Sequence, residues 1–188
     1  MLKIKNNRLT ASQVKNINLL KQNTLYASGR ATITAKSEKT VDNPNNLPTF
    51  SGESYTGGIM VPNWGVPVVI DLKGMEISKG QTPQLKDHDT KIVVGHLTSI
   101  DAGATLKSTG LMSGVNEATT EIVKSSANGI VWQQSVGVTP KEIRFVKKDE
   151  VVKVNGRTFK GQEFYLISKS LLKEISFEIG RASCRERV

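Results

Sequence analysis

Cysteine is almost missing from this chain. Its single copy, Cys184, lies within the last five residues of a 188-residue sequence. A lone cysteine allows no internal disulfide and no structural zinc site built on cysteines. Histidine is scarce as well: His88 and His96 are the two present. Any hydrolytic chemistry therefore has to run on a hydroxyl nucleophile or on carboxylates. Aromatic residues make up 5% of the chain, which does not suit a surface that stacks nucleic-acid bases. No apolar run approaches the roughly 18 residues that cross a bilayer. Met1 to Leu20 is basic, but it lacks the continuous apolar segment and the small-residue cleavage site of a secretion signal.

Hydrophobic residues, at 37%, and charged residues, at 23%, fall outside the range of globally disordered chains. The length suits one domain, or one domain with an additional arm, with an ordinary apolar core and no need of covalent staples. The formal net charge of +9 invites a nucleic-acid reading. Its lysines, however, are scattered among carboxylates rather than gathered into a stripe, and a solvated basic surface is the simpler account.

The ending Ile179-Gly180-Arg181-Ala182-Ser183-Cys184-Arg185-Glu186-Arg187-Val188 fits nothing before it. Residue for residue it can be back-translated into a widely used sequencing-library adapter read in frame. The expectation is that Phe177 is the last wholly native residue, that Glu178 straddles the junction, and that the tail packs poorly. Three arginines and one glutamate give the tail a net +2, which leaves +7 for the rest of the chain. On this reading the natural protein continued further, and the coding DNA should match the adapter base for base. Other codons for the same residues would mark the tail as genuine.

Three segments are expected from this pass: an arm over 1–23, a domain over 24–177 and the tail over 178–188. The arm is polar, with a weak helical pattern at Val14, Ile17 and Leu20. Leu25 to Lys36 is β-rich, Ser37 to Pro48 is a loop by its turn residues, and Val66 to Leu72 suits a short buried strand. Ile92 to Ile100 alternates, with Ile92, Val94, His96, Thr98 and Ile100 on one face. A second strand follows over Thr105 to Ser113. Asn116 can cap a helix from Glu117 to Ala127, which Asn128-Gly129 would stop, with Ala118 and Ile122 on its buried side. Val131 to Val138 is a strand that Ile143 to Val146 can extend. Val151 to Lys160 is a hairpin around Asn155-Gly156, and Phe164 to Ile167 with Leu171 to Phe177 complete the sheet. The expected fold is β-dominated: a closed or nearly closed barrel of about eight strands with helical decoration outside.

Chemistry could sit in three segments. Lys86-Asp87-His88-Asp89-Thr90 is a polar loop whose histidine is flanked by carboxylates able to stabilise its cation. In Trp132-Gln133-Gln134-Ser135-Val136-Gly137, Ser135 lies on a strand two residues before a glycine, which would let another backbone, such as a bound peptide, approach closely. This is not the Gly-x-Ser-x-Gly elbow of α/β-hydrolases. In Leu171-Leu172-Lys173-Glu174-Ile175-Ser176-Phe177, alternation places Leu172, Glu174 and Ser176 on one face. Each segment alone also reads as ordinary surface or core, and the same holds for His96.

Taken in order, the motifs resemble the prohead (head-maturation) serine protease family of tailed phages. Tyr55-Thr56-Gly57-Gly58, Gly65-Val66-Pro67-Val68-Val69-Ile70-Asp71-Leu72, Asp87-His88-Asp89 and Val94-Gly95-His96 carry the first half of the likeness. Ser126-Ala127-Asn128-Gly129, Trp132 to Gly137, Val154 to Phe159 and Leu172 to Phe177 carry the second. The likeness covers roughly Ala27 to Phe177. It implies a barrel akin to herpesvirus assemblin, surrounded by helices. It also implies cleavage of scaffold and capsid-protein segments inside the procapsid, in the host cytoplasm during assembly. Ser135 falls at the family's catalytic serine and His88 at its catalytic histidine. Glu174 matches a recurrent acid in the last strand, whereas assemblin uses a second histidine there, a part His96 could play. The resemblance implies no metal or organic cofactor. The implied partners are the major capsid and scaffold proteins, with no specific nucleic acid and no membrane, and self-association is left open. The competing reading is a non-enzymatic virion or scaffold-associated barrel that binds capsid protein. The two differ in geometry: catalysis needs His88 and Ser135 about 3 Å apart.

Overall fold

In chain order the elements are β1 (Lys3–Ile4), α1 (Ala11–Gln22), β2 (Leu25–Thr34), β3 (Thr49–Tyr55), β4 (Met60–Pro62), β5 (Val68–Ile70), a 3-10 turn at Leu72–Gly74, β6 (Met75–Glu76), β7 (Pro83–Lys86), β8 (Asp89–Ala102), β9 (Leu106–Leu111), α2 (Glu117–Ala127), β10 (Gln133–Val146), β11 (Val151–Val154), β12 (Arg157–Lys160), β13 (Phe164–Glu178) and β14 (Cys184–Glu186). This computed structural model describes residues 3–4, 9–35, 39–41, 43–62, 65–179 and 184–186. Asn63 and Trp64 lie outside the described residues.

The sheet closes on itself. Running β10-β2-β3-β9-β8-β7-β13 and back to β10, seven strands form a mixed barrel, with the remaining strands outside it and two α-helices among the described residues. Closure depends on two long strands, β10 and β13, which pair antiparallel from Gln133↔Glu178 to Val146↔Phe164. A closed barrel leaves none of its own edges unpaired, which explains how short strands such as β7 remain in place. On its other flank β13 is paired in parallel by β5, β6 and β7 in succession.

Alternation fills the interior. Val136, Val138, Ile175, Phe177, Leu25 and Trp132 are buried in one apolar cluster with Phe50, Val94 and Ile122. Phe177 lies edge-on to Phe50, with ring centroids 5.2 Å apart, and to Trp132 at 6.3 Å. A smaller cluster lies under the β11–β12 hairpin, whose turn residues Asn155 (φ 53°) and Gly156 (φ 71°) have the left-handed geometry of a type I′ turn. Asn155 is buried there. Its side chain accepts from the Leu72 N–H and donates to the Gly57 and Ile70 carbonyls, which ties the hairpin to the β5 end of the sheet.

Other features go beyond or differ from the sequence expectations. Within the N-terminal segment, α1 runs over Ala11–Gln22, begins with a Thr10–Gln13 capping box, and buries Ile17 and Leu20 in the main cluster. Near the C-terminus, β14 pairs antiparallel with β4, Arg185 opposite Val61. Thr49–Tyr55, with a glycine and two serines inside it, is a full barrel strand that sequence patterning does not single out. Phe164 to Phe177 is one strand rather than two. Its register shifts so that Gly137 faces Glu174 and Val138 faces Leu172, leaving Lys173 as an exposed bulge. The bulge changes the alternation. Leu172 therefore joins Val138 in the core and does not share a face with Glu174 and Ser176.

Candidate functional site

The site lies on the outer side of the barrel wall, where β7, β13 and β10 run side by side. Ser176 is directly opposite Ser135 on β10 and opposite Leu85 on β7. Gly137 is opposite Glu174, and Gln133 is opposite Glu178. Ser135, Glu174, Ser176 and Glu178 thus point away from the Val136, Ile175 and Phe177 core.

His88 arrives from a turn. Lys86 pairs with Asp89, so Asp87 and His88 form a two-residue hairpin loop between β7 and β8, and both have positive φ (51° and 58°). Two-residue loops favour this geometry because its twist matches that of the strands, but it ordinarily calls for Asn-Gly or Asp-Gly. A left-handed conformation costs an L-residue about 1–2 kcal/mol, so something must hold the turn. The Asp87 N–H donates to the Phe177 carbonyl at 3.0 Å, and the His88 N–H donates to Ser176 Oγ at 3.0 Å. At the base of the turn, the Lys86 ammonium pairs with Glu121 of α2 at 2.6 Å and lies 5.9 Å from the centre of the Trp132 ring. Trp132 in turn donates its indole N–H to Ser125 of α2.

The ring of His88 then reaches across β13. Its Nε2 is 3.0 Å from Ser135 Oγ, and its Nδ1 is 2.6 Å from Glu174 Oε1. A carboxylate can only accept, so Nδ1 carries a proton and donates it. The arrangement orders hydroxyl, imidazole and carboxylate in sequence, with the hydroxyl fully buried. His96 lies elsewhere: its Nδ1 is 2.7 Å from Ser113 Oγ, and the place beside His88 Nδ1 belongs to Glu174. Glu174 and Glu178, rather than the flanking aspartates, are the carboxylates that raise the ring's proton affinity. Asp89 accepts from the Lys91 N–H, and the carboxylates at the ring are Glu174 and Glu178.

Glu178 is the residue that sequence reasoning missed. Set aside as the junction of the tail, it places Oε1 3.1 Å from His88 Nε2, the same nitrogen that faces Ser135. The available signal was the alternation Glu174, Ser176, Glu178 along one face of a strand. Burial, the largest single influence, lowers the proton affinity of the imidazole. Its hydrogen bonds to Glu174 and Glu178 and their two charges outweigh burial and raise it from 6.5 to about 9. With the folded value above the unfolded one, the stabilisation from this proton is fully present below pH 6.5 and is lost as pH rises through about 9.

Gly137 also has a role different from the one expected. A Cβ at this position would lie 1.9 Å from Glu174 Oε1. The space the glycine leaves open is filled by the orienting carboxylate, not by a bound peptide. Gly137→Ala is therefore expected to push Glu174 off His88, with an overpacking cost of about 1–3 kcal/mol and a turnover loss approaching that of removing the carboxylate. Urea titration beside a rate assay checks this, and an alanine variant with wild-type turnover would contradict it.

Among the described residues, no group of three or more His, Cys, Asp or Glu is arranged to hold a metal ion. No helix among them is long and apolar enough to cross a membrane. No protein-family model, curated protein or solved structure matches the chain.

Proposed function

We propose that this protein is a serine endopeptidase of the capsid-maturation kind, which cleaves capsid and scaffold segments by acyl transfer. The observation that supports this reading is the Ser135–His88–Glu174 relay, with contacts of 3.0 Å and 2.6 Å. A barrel that merely bound capsid protein would have no need of it. Ser135 Oγ attacks the scissile carbonyl while His88 Nε2 takes the hydroxyl proton. The same proton then passes to the leaving amine, and water repeats the sequence on the acyl-enzyme. Glu174 holds the Nδ1 proton in place and offsets the positive charge that forms on the ring. The sequence likeness to prohead proteases supplies the substrate class, and an extended segment of a capsid or scaffold chain is the form in which peptides usually meet a protease.

The nucleophile itself can be tested with a fluorophosphonate probe, which phosphonylates activated serines with loss of fluoride. Mass spectrometry is expected to find the adduct on Ser135, together with cleavage of a co-expressed capsid or scaffold protein. No adduct at any pH up to 10, or an adduct on another serine only, would refute the reading.

The charge state of His88 makes this test sensitive to pH. A ring that keeps both protons up to about 9 cannot accept the serine proton at neutrality. Labelling and cleavage are therefore expected to rise with pH toward about 9. Glu178→Gln, which removes the carboxylate from Nε2 but leaves Glu174 in place, should move that rise to lower pH. A pH profile unchanged by the substitution would mean that Glu178 does not govern the base.

A further inference from the structure

Ser176 makes two contacts that no step of the proposed reaction uses. Its side chain is fully buried, its Oγ is 3.0 Å from the His88 main-chain nitrogen, and it is 2.9 Å from Glu174 Oε2. The direction of both bonds follows from chemistry. A main-chain N–H can only donate, so the hydroxyl accepts from His88, and its one proton must go to the carboxylate. Glu174 is thereby held at both oxygens, Oε1 on the imidazole and Oε2 on the hydroxyl. The contacts form a closed loop: His88 main chain, Ser176, Glu174, His88 ring.

We infer that Ser176 is a positioning residue of the relay, fixing in one bond network both the strained turn that carries the base and the rotation of the carboxylate that orients it. The inference rests on the protease reading. Three features support it. The turn holds two consecutive non-glycine residues at positive φ, and the His88 N–H donates to Ser176. A carboxylate anchored at one oxygen is free to swing about its terminal bond, whereas one anchored at both is not. The register places Ser176 opposite Ser135, so the residue that sets the base height lies beside the nucleophile on the next strand.

Ser176→Ala should lower kcat roughly ten- to a hundredfold, the loss expected for a hydrogen bond to a charged group. KM should stay nearly constant, because Ser176 touches no substrate in this scheme. The pH profile should also move. Held at one oxygen only, Glu174 swings about its terminal bond and is less well placed to favour the cation, so the rising limb is expected at lower pH. The ionisable groups facing the ring are Glu174 and Glu178, both on β13, and Asp87 and Asp89 flank it in the turn. A residue serving stability alone would lower the melting temperature and leave the limb in place.

The decisive measurement does not require turnover. His88 is titrated by NMR in a Ser135→Ala background, with and without Ser176→Ala; a lower midpoint in the double variant supports the inference and a higher one contradicts it. An unchanged midpoint and an unchanged kcat in a folded Ser176→Ala protein would overturn it. If alanine prevents folding, Ser176→Cys keeps the volume with a weaker donor and acceptor. It should give an intermediate shift, and a Cys variant with the wild-type midpoint would overturn the inference in the same way. A wild-type protein that never labels or cleaves would instead refute the protease reading, since the NMR titration stands without it.

Discussion

Ser135→Ala is expected to abolish cleavage of a co-expressed capsid or scaffold protein, with turnover falling by on the order of 10⁴–10⁶, as when one member of a serine protease triad is lost. The substitution removes one buried hydroxyl and leaves His88 bonded to both Glu174 and Glu178, so the fold should stay intact. His88→Ala should be as inactive but less innocuous. It removes the cation between two largely buried carboxylates, each with about a tenth of its side chain exposed, and buried charge without a partner is costly. His88→Gln is the better companion variant, because it fills more of the space and can donate to one carboxylate. The double variant should be hardly slower than either single one, since nucleophile and base act as a unit and neither retains its function alone. Cleavage persisting in Ser135→Ala, or losses that multiply in the double variant, would refute the assignment.

Local chemistry made the short-range parts of this architecture readable. Asn116 caps α2 through its side chain, which accepts from the Thr119 N–H, and the helix ends at Asn128-Gly129 as its turn residues require. Asn155-Gly156 turns the β11–β12 hairpin for a comparable reason. In both cases the residues that determine the conformation lie within a few positions of it. The parts that were not legible depend on distant partners. β3 has no strong alternation of its own and is held by β2 and β9 on either side. The bulge at Lys173 reflects a register set by β10, some 35 residues away, and no periodicity within Leu171 to Phe177 signals it. α1 has only a weak apolar stripe, and its place in the structure comes from the pocket that receives Ile17 and Leu20.

The site divides in the same way. From their own segments, His88, Ser135 and Glu174 each read as ordinary, and it was the order of motifs across the chain that selected them. What brings them together is the pairing of β10 with β13 and the turn after β7, contacts spanning 47 and 86 positions in the chain. The turn itself was readable in principle. Aspartate and histidine are among the few non-glycine residues that enter the left-handed region with some frequency. Its role depends on tertiary bonds to Ser176 and Phe177, which sequence spacing does not reveal.

Glu174→Gln against His96→Gln is the sharper test of how the base is held. Glutamine at 174 keeps the size and one acceptor oxygen but removes the charge that offsets the imidazolium. It can also present its amide N–H₂ to Nδ1, which would force the ring into the tautomer with the proton facing Ser135. That tautomer cannot accept the serine proton, and the turnover loss expected is on the order of 10⁴, the size seen when the triad carboxylate of a serine protease is made neutral. The rising limb of the pH profile should move to lower pH, because one of the two carboxylates that raise the imidazole to about 9 is gone. The two effects separate cleanly: a slower enzyme whose histidine nevertheless loses its second proton at lower pH. His96→Gln should cost little in rate and leave the limb in place, because its ring bonds to Ser113 rather than to His88. If His96→Gln proves the slower of the two, the orienting group in the working enzyme is a second histidine, and the Glu174–His88 contact is not the catalytic one.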